Sequence, residues 1–361
     1  MIPNQPDTAG PRIDIHLGQD SVDIRQQRPA IARALAGLPV EAALARIPML
    51  LPICGAAQAI AAAGAVAAAR RQAPDREQLR KSDQALCQEQ ALACAWRLTV
   101  DWADLLGEAR QMAALKTVYQ AAGERERSAA LRLLAKGLEE VDSLDKLMQW
   151  VGASDSLAAR VIRLAREAEA MEPAAETPAP MLDPGRWREA ASAALACEPF
   201  DHLDPAGSPL QVGPLAMGRD PLLSELQAAM GSTVMSRLLA QLLDVRAVIR
   251  ALAGNTDYAA DVQASAWSPS EPAYKTGNTR YGIGCAVTAR GPVFHRVALA
   301  PAVDTVMDWR VLAPTDWHFG PRGPVAARLG ALAAPTRRQV ALLVASYDPC
   351  APWALHLQAG G

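Results

Sequence analysis

The chain has 361 residues, half of them hydrophobic and only 4% aromatic, with alanine carrying much of the apolar count. Small side chains let helix axes approach closely, so this composition favours packed helices over a sheet-dominated fold. Lys plus Arg number 36 against 38 Asp plus Glu, a formal charge of −2, which leaves no electrostatic footprint for nucleic acid or an anionic membrane surface.

The first residues, MIPNQPDTAGPRIDIHLG, lack the charged and apolar regions of a secretory signal. Residues 12–24 alternate polar and apolar around Gly18-Gln19-Asp20, the pattern of a short hairpin. From Pro29 to Arg46 apolar residues recur at three- and four-residue steps, which predicts a helix. The uncharged run from Ile47 to Ala69 is broken by Pro48, Pro52, Gly55 and Gly64 and dominated by alanine. It reads as a turn at Pro52-Ile53-Cys54-Gly55 followed by a buried helix, not as a membrane span. Further helices are expected over 76–98, 100–122, 126–138, 142–150 and 154–170. Residues 172–185, rich in Pro, Ala and Glu, read as a surface connection. Helices resume over 186–196, 220–230 and 231–252, and residues 281–313 alternate as strands, with a hairpin from Val293 to Leu312. The six cysteines form no CxxC pair, which points to reduced thiols in a cytoplasmic protein.

Separated segments carry a common signal. Pro52-Ile53-Cys54-Gly55-Ala56-Ala57-Gln58-Ala59-Ile60-Ala61 matches the pattern R-I-C-G-x-C-x-x-x-H with its arginine, second cysteine and histidine lost. Asp348-Pro349-Cys350-Ala351-Pro352-Trp353-Ala354-Leu355-His356 matches D-P-C-x-x-C-x-x-H, with Trp353 at the second cysteine. Between them, in order, stand Val212-Gly213-Pro214-Leu215-Ala216, Arg290-Gly291-Pro292-Val293-Phe294-His295 and Pro314-Thr315-Asp316-Trp317. Together these resemble the NiFe-hydrogenase large subunit. The absence of the same half of both cysteine pairs, with only five residues after His356, resembles the HupK/HoxV family of hydrogenase assembly proteins.

The resemblance implies a mainly helical α+β fold of large-subunit type with small peripheral β hairpins. The chain would form one domain over 1–361, with an N-terminal cysteine motif and Ala-rich helix at 29–72 and a hairpin plus C-terminal cysteine motif at 281–361. Cys54 and Cys350 match terminal nickel ligands, whereas Ala57 and Trp353 match the lost bridging ones. An alanine and an indole cannot replace thiolates, so no nickel site and no hydrogenase activity are expected. Trp353 would fill the space next to Ala57. Two thiolates could still hold an iron carrying cyanide and carbonyl ligands in transit. Arg290 matches the arginine over the family's metal centre, where its donor fork suits cyanide, and His356 could orient a thiolate.

The expected partners are proteins that make or deliver the iron–cyanide unit and the immature large subunit. The alternative is a metal-free structural or decoy subunit. Plainer roles are also open: Cys54 and Cys350 as small packed hydrophobes, Arg290 as the partner of a carboxylate, and His356 as a structural residue. Cys87, Cys94, Cys197 and Cys285 read as packing residues.

Overall fold

The computed structural model describes residues 11–18, 21–28, 30–73, 76–171, 184–196, 211–217, 220–254, 264–267, 279–301, 303–332 and 334–357. Helices dominate, and two small sheets flank them. Strands β1 (Arg12–Leu17) and β2 (Val22–Gln27) form the expected N-terminal hairpin. Strands β3 (Ala264–Trp267), β4 (Arg280–Thr288), β5 (Gly291–Leu299) and β6 (Val306–Leu312) make an antiparallel sheet in that order. Strand β7 (Trp353–Leu357) pairs parallel to β1, with Ile15 opposite Leu355, so the first sheet runs β2-β1-β7. Alternation predicted the hairpins. It could not predict a parallel partner more than three hundred positions away.

The alanine-rich helix, Gly55–Ala69, lies across β4 and β5. The seating is backbone on backbone. A Cβ added to Gly284 would fall 2.0 Å from the Ala61 carbonyl oxygen, and one on Gly282 would fall 2.0 Å from that of Ala65. On the helix side Ala57, Ala61, Ala62 and Ala65 are fully buried. A helix and a strand both stripped to small residues can approach this closely, and the alanine content seen in the composition has that use.

A second layer surrounds the helix Val234–Leu252, which is buried on nearly every face and begins at a Thr233/Ser236 capping box. Around it pack the helices Arg76–Trp96, Glu124–Leu134, Leu157–Met171, Leu222–Met230 and Arg337–Tyr347. Its buried Arg246 forms an ion pair with buried Asp220, Nε donating at 2.8 Å. A buried arginine needs such a partner, because an unpaired charge there is costly.

Two expected helices are broken. Residues 29–46 form Ile31–Leu35 and the start of Val40–Leu50, interrupted where Gly37 takes φ +78° ahead of Pro39. Residues 100–122 divide at Gly107, which caps Trp102–Leu106 in the left-handed region, before Met112–Gln120. In both cases a glycine overrides the apolar period. Most of residues 172–185, along with Cys197 and His202, lie outside the described residues. Among the described residues no helix is long and apolar enough to cross a membrane.

The helix–strand seating gives a stability prediction. Gly284→Ala should destabilise the protein by at least about 3 kcal/mol, the upper range for overpacking a core that cannot shift. Gly152→Ala, at a helical position with open space around it, should be neutral or stabilising by up to about 1 kcal/mol. Urea titrations of the two variants against wild type check both.

Candidate functional site

Cys54 is the residue before the first turn of Gly55–Ala69. The free amides of that turn are taken by Glu89 of the helix Arg76–Trp96: Ala56 N–H donates to Oε2 at 2.6 Å and Ala57 N–H to Oε1 at 3.1 Å. A carboxylate is well placed there, against the positive end of the helix dipole. The Cys54 side chain is buried among Ala57, Ala61, Leu86, Ala286, Val293 and Ala313.

Cys350 arrives from the other end of the chain. Helix Arg337–Tyr347 ends at Asp348 in the left-handed region, φ +48°, and this turns the backbone toward the site. The Cys350 N–H donates to Thr315 Oγ1 at 3.1 Å, and the same hydroxyl lies 3.0 Å from the thiol sulfur. Thr315 is fixed by the short helix Pro314–Phe319. Arg28, just past β2, pairs at 2.7 Å with Asp316, the residue after Thr315, which sets its charge near Cys350.

Arg290 occupies the turn between β4 and β5. Its N–H donates to Thr288 Oγ1 at 3.0 Å, and that hydroxyl donates to the Gly291 carbonyl at 2.8 Å. Gly291 and Gly213 both have positive φ, and a Cβ on Gly291 would lie 3.0 Å from the Gly213 nitrogen. The Gly213-Pro214 turn therefore braces the hairpin tip from behind. The guanidinium reaches forward: Nη1 approaches Cys54 Sγ at 3.8 Å and Nε donates to the Asp348 carbonyl at 3.1 Å. Asp348 also receives Arg97 Nη2 at 2.7 Å. Arg290 thus touches Cys54, and Cys350 follows two residues after Asp348, whose carbonyl accepts from the same guanidinium; both thiols act on the Arg290 charge.

Electrostatics follow from burial and this charge set. Burial pushes the Cys54 thiol up to about 12, against the pull of Arg290, and the neighbouring Cys350 adds to the rise. Asp348 is buried, yet Arg290 and Arg97 hold its carboxyl below the ordinary range. Asp101 has no such pairing, and burial together with Asp348 carries it up to about 7, although Trp96 Nε1 donates to it at 3.1 Å. Arg97 and Asp101 come from a π-helical turn, Arg97–Asp101, set into an otherwise α-helical stretch.

The structure places other expected residues elsewhere. His356 is on β7, three strand steps beyond Trp353, or about 10 Å. Its Nε2 meets Asp14 Oδ1 at 2.8 Å, and its ring stacks on His16 with centroids 4.4 Å apart. Trp353 does not fill the space beside Ala57. Instead it begins β7 and packs with the cluster around Ile13, Ile15 and Tyr347, because the Pro352–Trp353 backbone is drawn into pairing with β1.

His295 is buried and neutral, pushed down to about 3 by burial; Trp309 Nε1 donates to its Nδ1 at 2.9 Å, and its Nε2 lies 2.6 Å from Gln58 Oε1. His318 is likewise pushed down to about 3 and accepts the Val212 N–H at 3.1 Å. Cys87, Cys94 and Cys285 pack in apolar clusters. Among the described residues no three His, Cys, Asp or Glu side chains converge on a metal-sized point. Sequence reasoning missed Arg28, Glu89, Arg97 and Asp101. For the last two a signal was available: opposite charges four apart in the apolar run Ala95–Trp102.

The architecture is that of a NiFe-hydrogenase large subunit. The Ni-Fe-Se hydrogenase of Desulfovibrio vulgaris Hildenborough, in its as-isolated oxidized state, superposes with a TM-score of 0.53 at 14% identity, covering 91% of this chain and 93% of that one. No family model matches the chain. In sequence it is 29% identical over 352 residues to the hydrogenase expression/formation protein HupV of Azotobacter chroococcum mcd 1, covering 91% of this chain and 92% of HupV. It is 29% identical over 339 residues to HupK of Azotobacter vinelandii, with the same coverage. HoxV of Cupriavidus necator is 37% identical over 102 residues, 26% of this chain and 27% of HoxV. The chain therefore has the fold of a NiFe-hydrogenase large subunit and is similar over nine-tenths of its length to the hydrogenase expression/formation proteins HupV and HupK.

Asp101 sets a pH dependence. Its folded-state value of about 7 exceeds the ordinary 3.8, so between those limits the folded protein holds more protons than the unfolded chain, and stability falls as pH rises. Asp101→Asn should remove that slope. Its stability relative to wild type should increase from pH 4 to pH 7.5 in urea titrations.

Proposed function

We propose that this protein is an accessory factor of hydrogenase assembly whose cargo is an iron carrying cyanide and carbonyl ligands, held between Cys54 and Cys350. The observation that carries this reading is the Arg290 guanidinium against the Cys54 thiol with Cys350 alongside. Two thiols from distant parts of the sequence are retained near one buried cation, while both partner cysteines of the motifs are replaced by Ala57 and Trp353.

The donor set fits such a cargo. Two thiols without a third His, Cys, Asp or Glu donor among the described residues are too few for a metal that must draw its whole coordination sphere from protein. They suffice for one that brings strong ligands of its own. A guanidinium offers donors to the nitrogen ends of cyanide and stabilises a neighbouring thiolate. Nickel needs the four thiolates of the active family members, so hydrogenase turnover is not part of this reading. With its pKa raised, Cys54 is held as the thiol at neutral pH, and loading requires that proton to leave. The weak, two-point attachment suits transfer onward to the immature large subunit, and the proteins that make the iron–cyanide unit are the matching donors. This work belongs in the cytoplasm.

Protein purified from a hydrogenase-assembling host should contain substoichiometric iron and essentially no nickel by elemental analysis. It should show infrared bands of bound cyanide and carbonyl that are lost in Cys54→Ser and in Cys350→Ser. Cargo occupancy should rise with pH, because loading releases the Cys54 proton. Deleting the gene should leave the large subunit unprocessed. Bands that persist in both serine variants would remove the site. A wild-type protein with neither iron nor bands, whose deletion still blocks processing, would favour the metal-free structural subunit.

A further inference from the structure

The two thiols differ in access. Cys54 is buried, 7% exposed, with Arg290 on one side and the alanine-rich helix on the other. Cys350 is only half-buried, and a second, partly exposed guanidinium stands near it. Arg28 extends from the end of β2, its Nη2 pairing with Asp316 Oδ1 at 2.7 Å, and Asp316 directly follows Thr315, whose hydroxyl lies 3.0 Å from the Cys350 sulfur. Its side chain remains 30% exposed, against 8% for Arg290. Asp316 is not free to swing away, because its other oxygen accepts the Ala313 N–H at 2.7 Å. The result is one arginine per retained thiol: Arg290 at the buried sulfur and Arg28 at the accessible one.

We infer that Arg28 is the anion-recognition residue at the mouth of this site, and that an anionic metal fragment is received and released on the Cys350 side. The inference rests on the cargo reading above for the identity of the fragment, but its own test needs no metal. A guanidinium has donors left over after one carboxylate is satisfied. Asp316 therefore fixes its position without consuming its recognition capacity. A fragment bearing two cyanides could meet Arg28 at the mouth and Arg290 at the base. The remaining solvent exposure of Arg28 is what allows exchange, since a buried arginine such as Arg290 can hold a ligand but cannot meet one arriving from solvent. Arg28 also shares charge with Asp316, so the mouth attracts anions only moderately, as suits a site that must let its cargo go.

The test compares two thiol reagents on metal-free protein: dianionic 5,5′-dithiobis(2-nitrobenzoate) and neutral 4,4′-dithiodipyridine, with modification mapped to Cys350 by mass spectrometry. Both are attacked by the thiolate, so their rate ratio cancels any change in thiolate population and isolates attraction of the anion. Arg28→Gln should lower the anionic-to-neutral ratio at Cys350 by about fivefold or more, on the scale of one nearby charge in partly solvated surroundings. Arg28→Lys should largely retain the ratio. Asp316→Asn keeps an oxygen for Ala313 and removes the charge shared with Arg28, so it should raise the ratio. Opposite shifts in the two charge variants are not what a folding defect produces. Equal ratios in wild type and Arg28→Gln would overturn the assignment, as would Cys54 reacting as fast as Cys350. Infrared bands serve as the separate arm. If wild type carries none, the cargo reading fails and the reagent ratio still decides the role of Arg28. If wild type carries them, Arg28→Gln should reduce their intensity with both cysteines intact.

Discussion

Everything at the candidate site depends on one close contact, the helix Gly55–Ala69 resting on the backbone of β4 at Gly282 and Gly284. Cys54 is the residue that starts this helix, and Arg290 is at the tip of the hairpin beneath it. A larger residue at either glycine would lift the helix away, and a 3.8 Å approach of guanidinium to sulfur across 236 positions would not survive that shift. The smallness of the alanines and glycines is therefore a requirement of the site as much as of the core. Interiors packed at crystal-like density transmit such displacements instead of absorbing them.

The second constraint is charge. Arg97, Arg290 and Asp348 are all buried, and each would be costly alone. They are tolerable as a set because Asp348 receives both guanidinium groups, one through the side chain and the other through the backbone carbonyl and carboxylate. The left-handed turn at Asp348 makes this double engagement possible and delivers Cys350 two residues later. One residue thus closes a helix, engages two arginines and aims a thiol.

Much of this was legible in the sequence, for specific reasons. The alanine-rich helix, the β4–β6 strands and the approach of Arg290 to Cys54 came from local patterning and from motif order, both of which are written in consecutive residues. What escaped depends on distance. β7 has no alternation strong enough to name its partner, and only the structure shows it lying along β1. The position of a missing cysteine points Trp353 toward Ala57, but backbone pairing with β1 governs where it goes. Glu89 and Arg28 carry no motif at all, and their importance exists only once the helix start and the Cys350 turn are set beside them. The glycines at 37 and 107 are visible in the sequence, yet apolar periodicity runs straight through them.

The parallel pairing of β7 with β1 has a consequence for the order of events in the life of the chain. These strands join residues as far apart as Asp14 and His356, and Cys350 stands just ahead of the joining strand. A growing chain can form the hairpin, the alanine-rich helix and the Arg290 turn before Cys350 and β7 have been added. Contacts of such long sequence separation are also the slowest to form, because the loop they close is more than three hundred residues long. The order of synthesis thereby separates the two sulfurs: until the stretch carrying Cys350 and β7 has been made and paired with β1, the folded part of the chain offers Cys54 alone.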